Sequence, residues 1–180
     1  TEEEYFDILA QYRLGEVNNN IGDENLGEVE FSEGIGSQLT HARNDLDAFI
    51  TNVDRTFRNT NMLIWNRELW LIDHGASFYF HHSWVNMEKG SKTPFSFIKD
   101  HVLLPQASQL EEVDKEFKQI LSEEKLRELI NLIPTEWLQW EVSEETPEEI
   151  KEIYFQFLTT RLNHSEIFIK EAQNARQTLI

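Results

Sequence analysis

Asp54-Arg55-Thr56-Phe57-Arg58-Asn59, with Leu69-Trp70-Leu71-Ile72-Asp73-His74-Gly75 a little further on, is the most pointed pattern in this chain. An aspartate stands five residues before an asparagine. A second aspartate closes a short apolar run, and glycine follows it two residues later. Between the two, Met62–Trp65 and Leu69–Ile72 are apolar runs separated by Asn66-Arg67-Glu68, which predicts a β-hairpin. Upstream, Leu39 to Thr51 carries Leu39, Ala42, Leu46, Phe49 and Ile50 on one helical face. The order is helix, acidic loop, hairpin, acidic strand end. A hairpin is a short, rigid way to return the chain beside the loop it has just left.

These residue types at these spacings suit phosphoryl transfer. That reaction needs a positioned base for the attacking hydroxyl and a divalent cation to hold and neutralise phosphates. Oxygen ligands suit Mg²⁺, which takes one or two carboxylates together with phosphate oxygens and water. An Asp and an Asn five apart on a tight loop serve both needs, and a second Asp on a neighbouring strand supplies a further carboxylate. Gly75 is expected to let the backbone turn sharply after Asp73.

Outside the pattern the chain reads as helical. Glu2 to Leu14 has an apolar stripe of Tyr5, Phe6, Ile8, Leu9 and Tyr12. Residues 15–38 are rich in Gly, Asn and Glu and read as loop, with a short strand at Val29–Phe31. The Gly34-Ile35-Gly36-Ser37 run precedes a helix but lacks the G-K-[ST] of a phosphate-binding loop, so it is read as an ordinary helix start. Ala76 to Thr93 reads as an aromatic- and His-rich loop, and Pro94 to Leu104 as holding a short helix. Ser108-Gln109-Leu110-Glu111 reads as a capping box for a helix to about Leu121. Ser122 caps the next, to Ile133. Thr135 starts a turn, Thr146-Pro147-Glu148-Glu149 opens a helix to about Leu162, and Ser165 to Thr178 is the last.

Composition narrows the classes. The chain of 180 residues is 39% hydrophobic with 12 Phe and 5 Trp, enough for one domain with a substantial core. Its formal net charge of −17 argues against general nucleic-acid binding and against docking on an anionic membrane. From Arg43 to Glu68, four Arg balance Asp45, Asp47, Asp54 and Glu68, so the window around the pattern is neutral, as suits a site for polyphosphate. The absence of cysteine excludes thiolate catalysis and zinc–sulfur sites and fits a reducing, cytoplasmic compartment. No apolar run approaches the ~20 residues of a membrane span. His74, His81 and His82 are read as structural or substrate-side residues, the five Trp as core, and the acidic helices as solvated faces.

Four separated segments agree in order with one family. Asn52 to Asn61, Leu69 to Gly75, Tyr79-Phe80-His81-His82 and Asp100-His101-Val102-Leu103-Leu104-Pro105 together resemble the HipA-like kinases of bacteria, and the D-R-x-x-x-N loop is more distantly similar to that of phosphatidylinositol kinases. The resemblance implies a mainly α fold: the helical C-lobe of a protein-kinase-like fold, with a small β-hairpin carrying the metal-binding Asp. Residues 39–180 would form this lobe, and residues 1–38 an incomplete N-terminal segment. It implies ATP and Mg²⁺ as cofactors and a protein Ser or Thr as acceptor. Asp54 would be the catalytic base. Asn59 and Asp73 would bind Mg²⁺. Arg55 or Arg58 would contact phosphate or hold the loop, and Gly75 would take the place of the glycine after the metal-binding Asp. One departure is large: only 53 residues precede Asp54 and no lysine precedes Lys89, so a nucleotide-clamping Lys is not supplied upstream of the loop. The alternative expectation is therefore a non-catalytic, kinase-derived module that pairs with another protein or with itself. A third is a Mg²⁺-dependent hydrolase using two Asp.

Overall fold

The computed structural model describes residues 44–65, 68–78, 80, 87–139 and 144–179. The expected first helix, the 15–38 loop and its strand, the Gly34–Gly36 run, and His81 and His82 lie outside the described residues. Among the described residues the protein is mainly helical, with a single two-stranded antiparallel sheet.

A helix over 44–49 (α1) leads into the acidic loop. It is buried on all sides, with Leu46, Phe49 and Ile50 in the core beside Asn44, Asp45 and Asp47. It ends at Thr51, whose φ of 57° is left-handed and strained for a β-branched residue. The Asn52 N–H then reaches back to the Asp47 carbonyl at 2.9 Å and closes the helix end. The hairpin follows as expected, with one shift. Strand β1 is Met62–Trp65 and β2 is Glu68–Leu71. Their register pairs Met62 with Leu71 and Trp65 with Glu68, so Glu68 belongs to the strand and not to the turn. Ile72, expected as the last strand residue, lies just past β2, yet its N–H still donates to the Asn61 carbonyl at 2.9 Å.

The remaining elements wrap this centre. The segment read as a loop from Ala76 to Thr93 contains a short helix, Met87–Ser91 (α2). Two 3-10 turns, Ser96–Asp100 and Leu104–Gln106, precede Leu110–Ile120 (α3). Then come Glu123–Asn131 (α4), a 3-10 turn at Thr135–Leu138, Pro147–Asn163 (α5) and Glu166–Gln177 (α6). Helix α5 is central: it packs against α2 and α4, while α6 packs against α3 and the Ser96–Asp100 turn.

Local chemistry sets most of these boundaries. Thr146 and Glu149 form the reciprocal capping box, with Pro147 at the first helical position. Ser122 accepts from the Lys125 N–H at 3.2 Å. The capping box expected at Ser108 does not form. Gln109 is the N-cap, with no side-chain cap bond, because α3 begins where Leu110 and Val113 can be buried.

The core is aromatic. Phe80 stacks on Phe157 with centroids 4.0 Å apart, Phe78 meets Phe157 and Tyr154 edge-on, and Phe49 meets Phe117 edge-on at 5.2 Å. Arg161, on α5, is buried among them. Its Nε and Nη2 donate to the Ala48 carbonyl at 3.1 and 2.7 Å, and its Nη1 to the carbonyls of Ser91 and Thr93 at 3.3 and 3.1 Å. Burial lowers its pKa to about 10, with nearby Asp45 opposing, so it stays charged at neutral pH. One guanidinium thus ties α5 to the ends of α1 and α2.

Candidate active site

The acidic loop is held in shape before any ligand is considered. The Asn52 side chain receives the Asp54 N–H at 3.2 Å, an Asx-type turn. The Thr56 N–H donates to the Asn59 carbonyl at 2.8 Å and closes the loop on itself. Thr56 pairs as an isolated bridge with His101, and the Val102 N–H donates to the Arg55 carbonyl at 3.1 Å.

This geometry links three of the expected residues, Asp54, Asn59 and Asp73, with Asn61. The Asn59 Nδ2 donates to Asp54 Oδ2 at 2.7 Å. The Asn61 Nδ2 donates to the same oxygen at 3.3 Å and to the Asp73 carbonyl at 3.4 Å. Asn61 is therefore the bridge between the loop and the strand end. Asp54 is half-buried, and its Oδ1 accepts no hydrogen bond from any described residue. The Asn59 amide nitrogen is committed to Asp54, and no described residue donates to its Oδ1. Asp73 is exposed and its carboxylate makes no ion pair among the described residues.

The backbone at the strand end differs from expectation. No described glycine has a positive φ, so Gly75 is not the left-handed residue of the turn. Asp73 itself is, at φ 55°, and Asn61 opposite it is at φ 45°. Asn and Asp tolerate this region better than other residues with a Cβ, through local hydrogen bonds of their short side chains. Here the Asn61 amide supplies one.

The two arginines part company. Arg58 is exposed on the loop. Arg55 is turned inward, 1% exposed, and holds the loop. Its Nε donates to Asp47 Oδ2 at 2.5 Å, its Nη1 to the Asn61 carbonyl, and its Nη2 to His74 Nε2 at 3.0 Å. A guanidinium only donates, so His74 accepts at Nε2. Asp47 lies under this network. Burial alone would raise its carboxyl, but the Arg55 guanidinium and the His101 hydrogen bond outweigh that and hold it well below the usual carboxylate range.

Asn61, Asp47 and His101 were not singled out by role in the sequence. Asn61 had a signal: a second Asn two residues after Asn59, immediately before an apolar strand. His101 sat inside the Asp100–Pro105 segment without an assigned contact. Asp47 had none, since one acid in a helix looks like any other.

The Asp73 carboxylate and the Asn59 carboxamide oxygen are hard oxygen donors, which fit a divalent cation that completes its shell with phosphate oxygens and water. Among the described residues no three His, Cys, Asp or Glu side chains gather as a metal site of their own. No helix of the described residues is long and apolar enough to cross a membrane. A search of curated proteins found no match, and neither did a search of solved structures. A family model described as HipA-like kinase matches residues 25–168, which takes in the acidic loop, the hairpin and all the helices up to the start of α6. With well over half of the sequence matched and an Asp–Asn pair set against a second Asp across a hairpin, the chain belongs to the HipA-like kinase family.

Proposed function

We propose that this protein transfers a phosphoryl group from ATP to a hydroxyl, with Mg²⁺, and that the acceptor is a Ser or Thr of a protein. The observation that carries the proposal is the Asp54–Asn59 pair, joined through Asn61 to the backbone of Asp73.

In this reading Asp54 is the base. Two amides on Oδ2 fix its rotamer, and Oδ1, to which no described residue donates, would accept the hydroxyl proton. Asn59 and the Asp73 carboxylate are the ligands for Mg²⁺, whose bound charge would neutralise the phosphates and hold them in line. Gly75, two residues after Asp73, would border the nucleotide. Arg58, exposed and with no ion pair among the described residues, would meet phosphate. Arg55 acts by keeping the loop in shape, because its donors already have partners. Residues 39–180 make up the lobe that carries the base and the metal ligands.

The test is calorimetry of Mg²⁺–ATP binding to the chain and to its Asp73→Ala variant, together with transfer of labelled phosphate by Asp54→Ala. Asp73→Ala is expected to weaken Mg²⁺–nucleotide binding at least about tenfold, with metal-free nucleotide affected little. Asp54→Ala should bind nucleotide and transfer at least about a hundredfold more slowly. Equal Mg²⁺–ATP binding by the chain and by Asp73→Ala removes the metal role.

A further inference from the structure

Four residues without a direct part in that chemistry form one continuous buried chain of hydrogen bonds beneath it. Asp47 is its hub. Its Oδ1 accepts from Asn52 Nδ2 at 2.9 Å; its Oδ2 accepts from Arg55 Nε at 2.5 Å and lies 2.9 Å from His101 Nε2. Both arms from Asp47 lead to Asp54. Through Asn52 the hub reaches the Asp54 N–H. Through Arg55 it reaches the Asn61 carbonyl, and the Asn61 amide in turn holds Asp54 Oδ2 and the Asp73 carbonyl.

The protonation pattern of His101 follows from its neighbours. The backbone N–H of Leu103 points at Nδ1 from 3.1 Å, and a backbone N–H can only donate. Nδ1 therefore carries no hydrogen and accepts, with Asn44 Nδ2 also 3.0 Å away. The ring hydrogen sits on Nε2 and is given to Asp47. His101 and Arg55 thus converge on Asp47 Oδ2 from two sides while Asn52 holds Oδ1, and together the three fix the orientation of the carboxylate. The residues are almost wholly buried: Asp47 0%, Arg55 1%, His101 2% and Asn52 2% exposed. Water has little access to replace a missing partner there.

We infer that His101 and Asp47 are positioning residues for phosphoryl transfer, acting through Asn52 and Arg55 to set the Asp54 carboxylate and the Asn61–Asp73 contact. The inference rests on the phosphotransfer reading above. Outer-shell partners of this kind typically change activity by about 10–100-fold when removed, because small displacements of a base or ligand are costly to the reacting geometry.

The variants are His101→Leu, His101→Asn and His101→Gln in the full chain. Each is assayed for kcat and KM with labelled Mg²⁺–ATP and an array of peptides carrying single Ser or Thr residues, and for unfolding in urea. His101→Leu removes both bonds. His101→Asn places an amide near the Leu103 side of the ring, too short to reach Asp47. His101→Gln offers an N–H to Asp47. His101→Leu and His101→Asn are expected to lower kcat about 10–100-fold while KM for ATP moves by less than about threefold, and His101→Gln to recover most of the loss. Should His101→Leu not fold, the contrast between His101→Asn and His101→Gln carries the same decision. An active chain in which His101→Asn keeps full kcat, or His101→Gln is no better than His101→Asn, overturns the inference alone. A chain that neither binds Mg²⁺–ATP nor transfers phosphate overturns the phosphotransfer reading and this inference with it.

Discussion

Asn61 shows how much one side chain can be asked to do. It adopts a left-handed backbone at φ 45°, receives the Ile72 N–H on its carbonyl, and splits its amide between the Asp54 carboxylate and the Asp73 carbonyl. Removing the amide leaves the base with a single donor and the strand end tied to this position only by the backbone bond from Ile72. Asn61→Ala is expected to lower phosphotransfer about 10–100-fold, with the nucleotide still bound. The backbone and the amide can be separated. Asn61→Gly takes the left-handed conformation freely, so if it loses as much activity as Asn61→Ala, the amide is what matters; recovery in the glycine variant would place the effect in the backbone. At this scale the sequence was legible where spacing constrains chemistry. Asp54, Asn59 and Asp73 were expected together, and the structure joins Asn59 to Asp54 directly and Asp73 to it through Asn61. The fork between Arg55 and Arg58 was not legible, because two arginines three apart on a loop look alike until the partners of each are known. Arg55 finds Asp47 eight residues upstream and His74 nineteen downstream.

Among the elements, helix α5 does most to support the site. Its start is encoded locally and redundantly: Thr146 accepts from the Glu149 N–H while the Glu149 carboxylate receives the Thr146 N–H at 2.8 Å. Those bonds lower the Glu149 pKa, the backbone contribution first. Thr146→Ala is expected to destabilise the fold by about 1 kcal/mol in urea unfolding, with no change in m. The middle of α5 matters more. Phe157 is 1% exposed and stacked on Phe80, and Phe157→Ala should cost about 3–5 kcal/mol. The ends of α4 and α5 were readable because Ser122 and Thr146 sit directly before acidic first turns. The start of α3 was misjudged by one residue. A capping box is only a local preference, and burial of Leu110 and Val113 overrode it. Helix α2 was missed altogether: its five residues, Met-Glu-Lys-Gly-Ser, are too few to show a period and include a glycine.

For the molecule as a whole, a net charge of −17 coexists with paired charge buried around Asp47. Asp47 makes this testable through pH. Its carboxyl titrates below the ordinary value in the folded state, so the unfolded chain takes up a proton first as the solution is acidified. The stability Asp47 contributes is complete above the ordinary carboxylate range near ~3.9 and is lost as pH falls from there towards its lower folded value. Asp47→Asn is therefore expected to be destabilised at neutral pH, where it leaves Arg55 buried without its counter-ion. Its stability should draw level with that of the unsubstituted chain as both are acidified; parallel curves down to pH 2 would show that Asp47 is not the group responsible. None of this interior charge could be read from composition. The −17 sums every charge and places none, while His101 and Asp47 meet across 54 residues of chain and Arg161 and Ala48 across 113.

That last separation has a consequence for biosynthesis. The Ala48 carbonyl, three residues before the turn into the acidic loop, finds its donor only when Arg161 has been made. At about 5–20 residues per second, the ribosome needs some ~6–20 seconds to cover the intervening chain. Through that interval the loop bearing Asp54 lacks the anchor that fixes its approach. A released fragment that ends before residue 161 should expose the loop to protease, and the 180-residue chain should protect it. The loop would then reach its final shape only after the chain as far as α5 has been made.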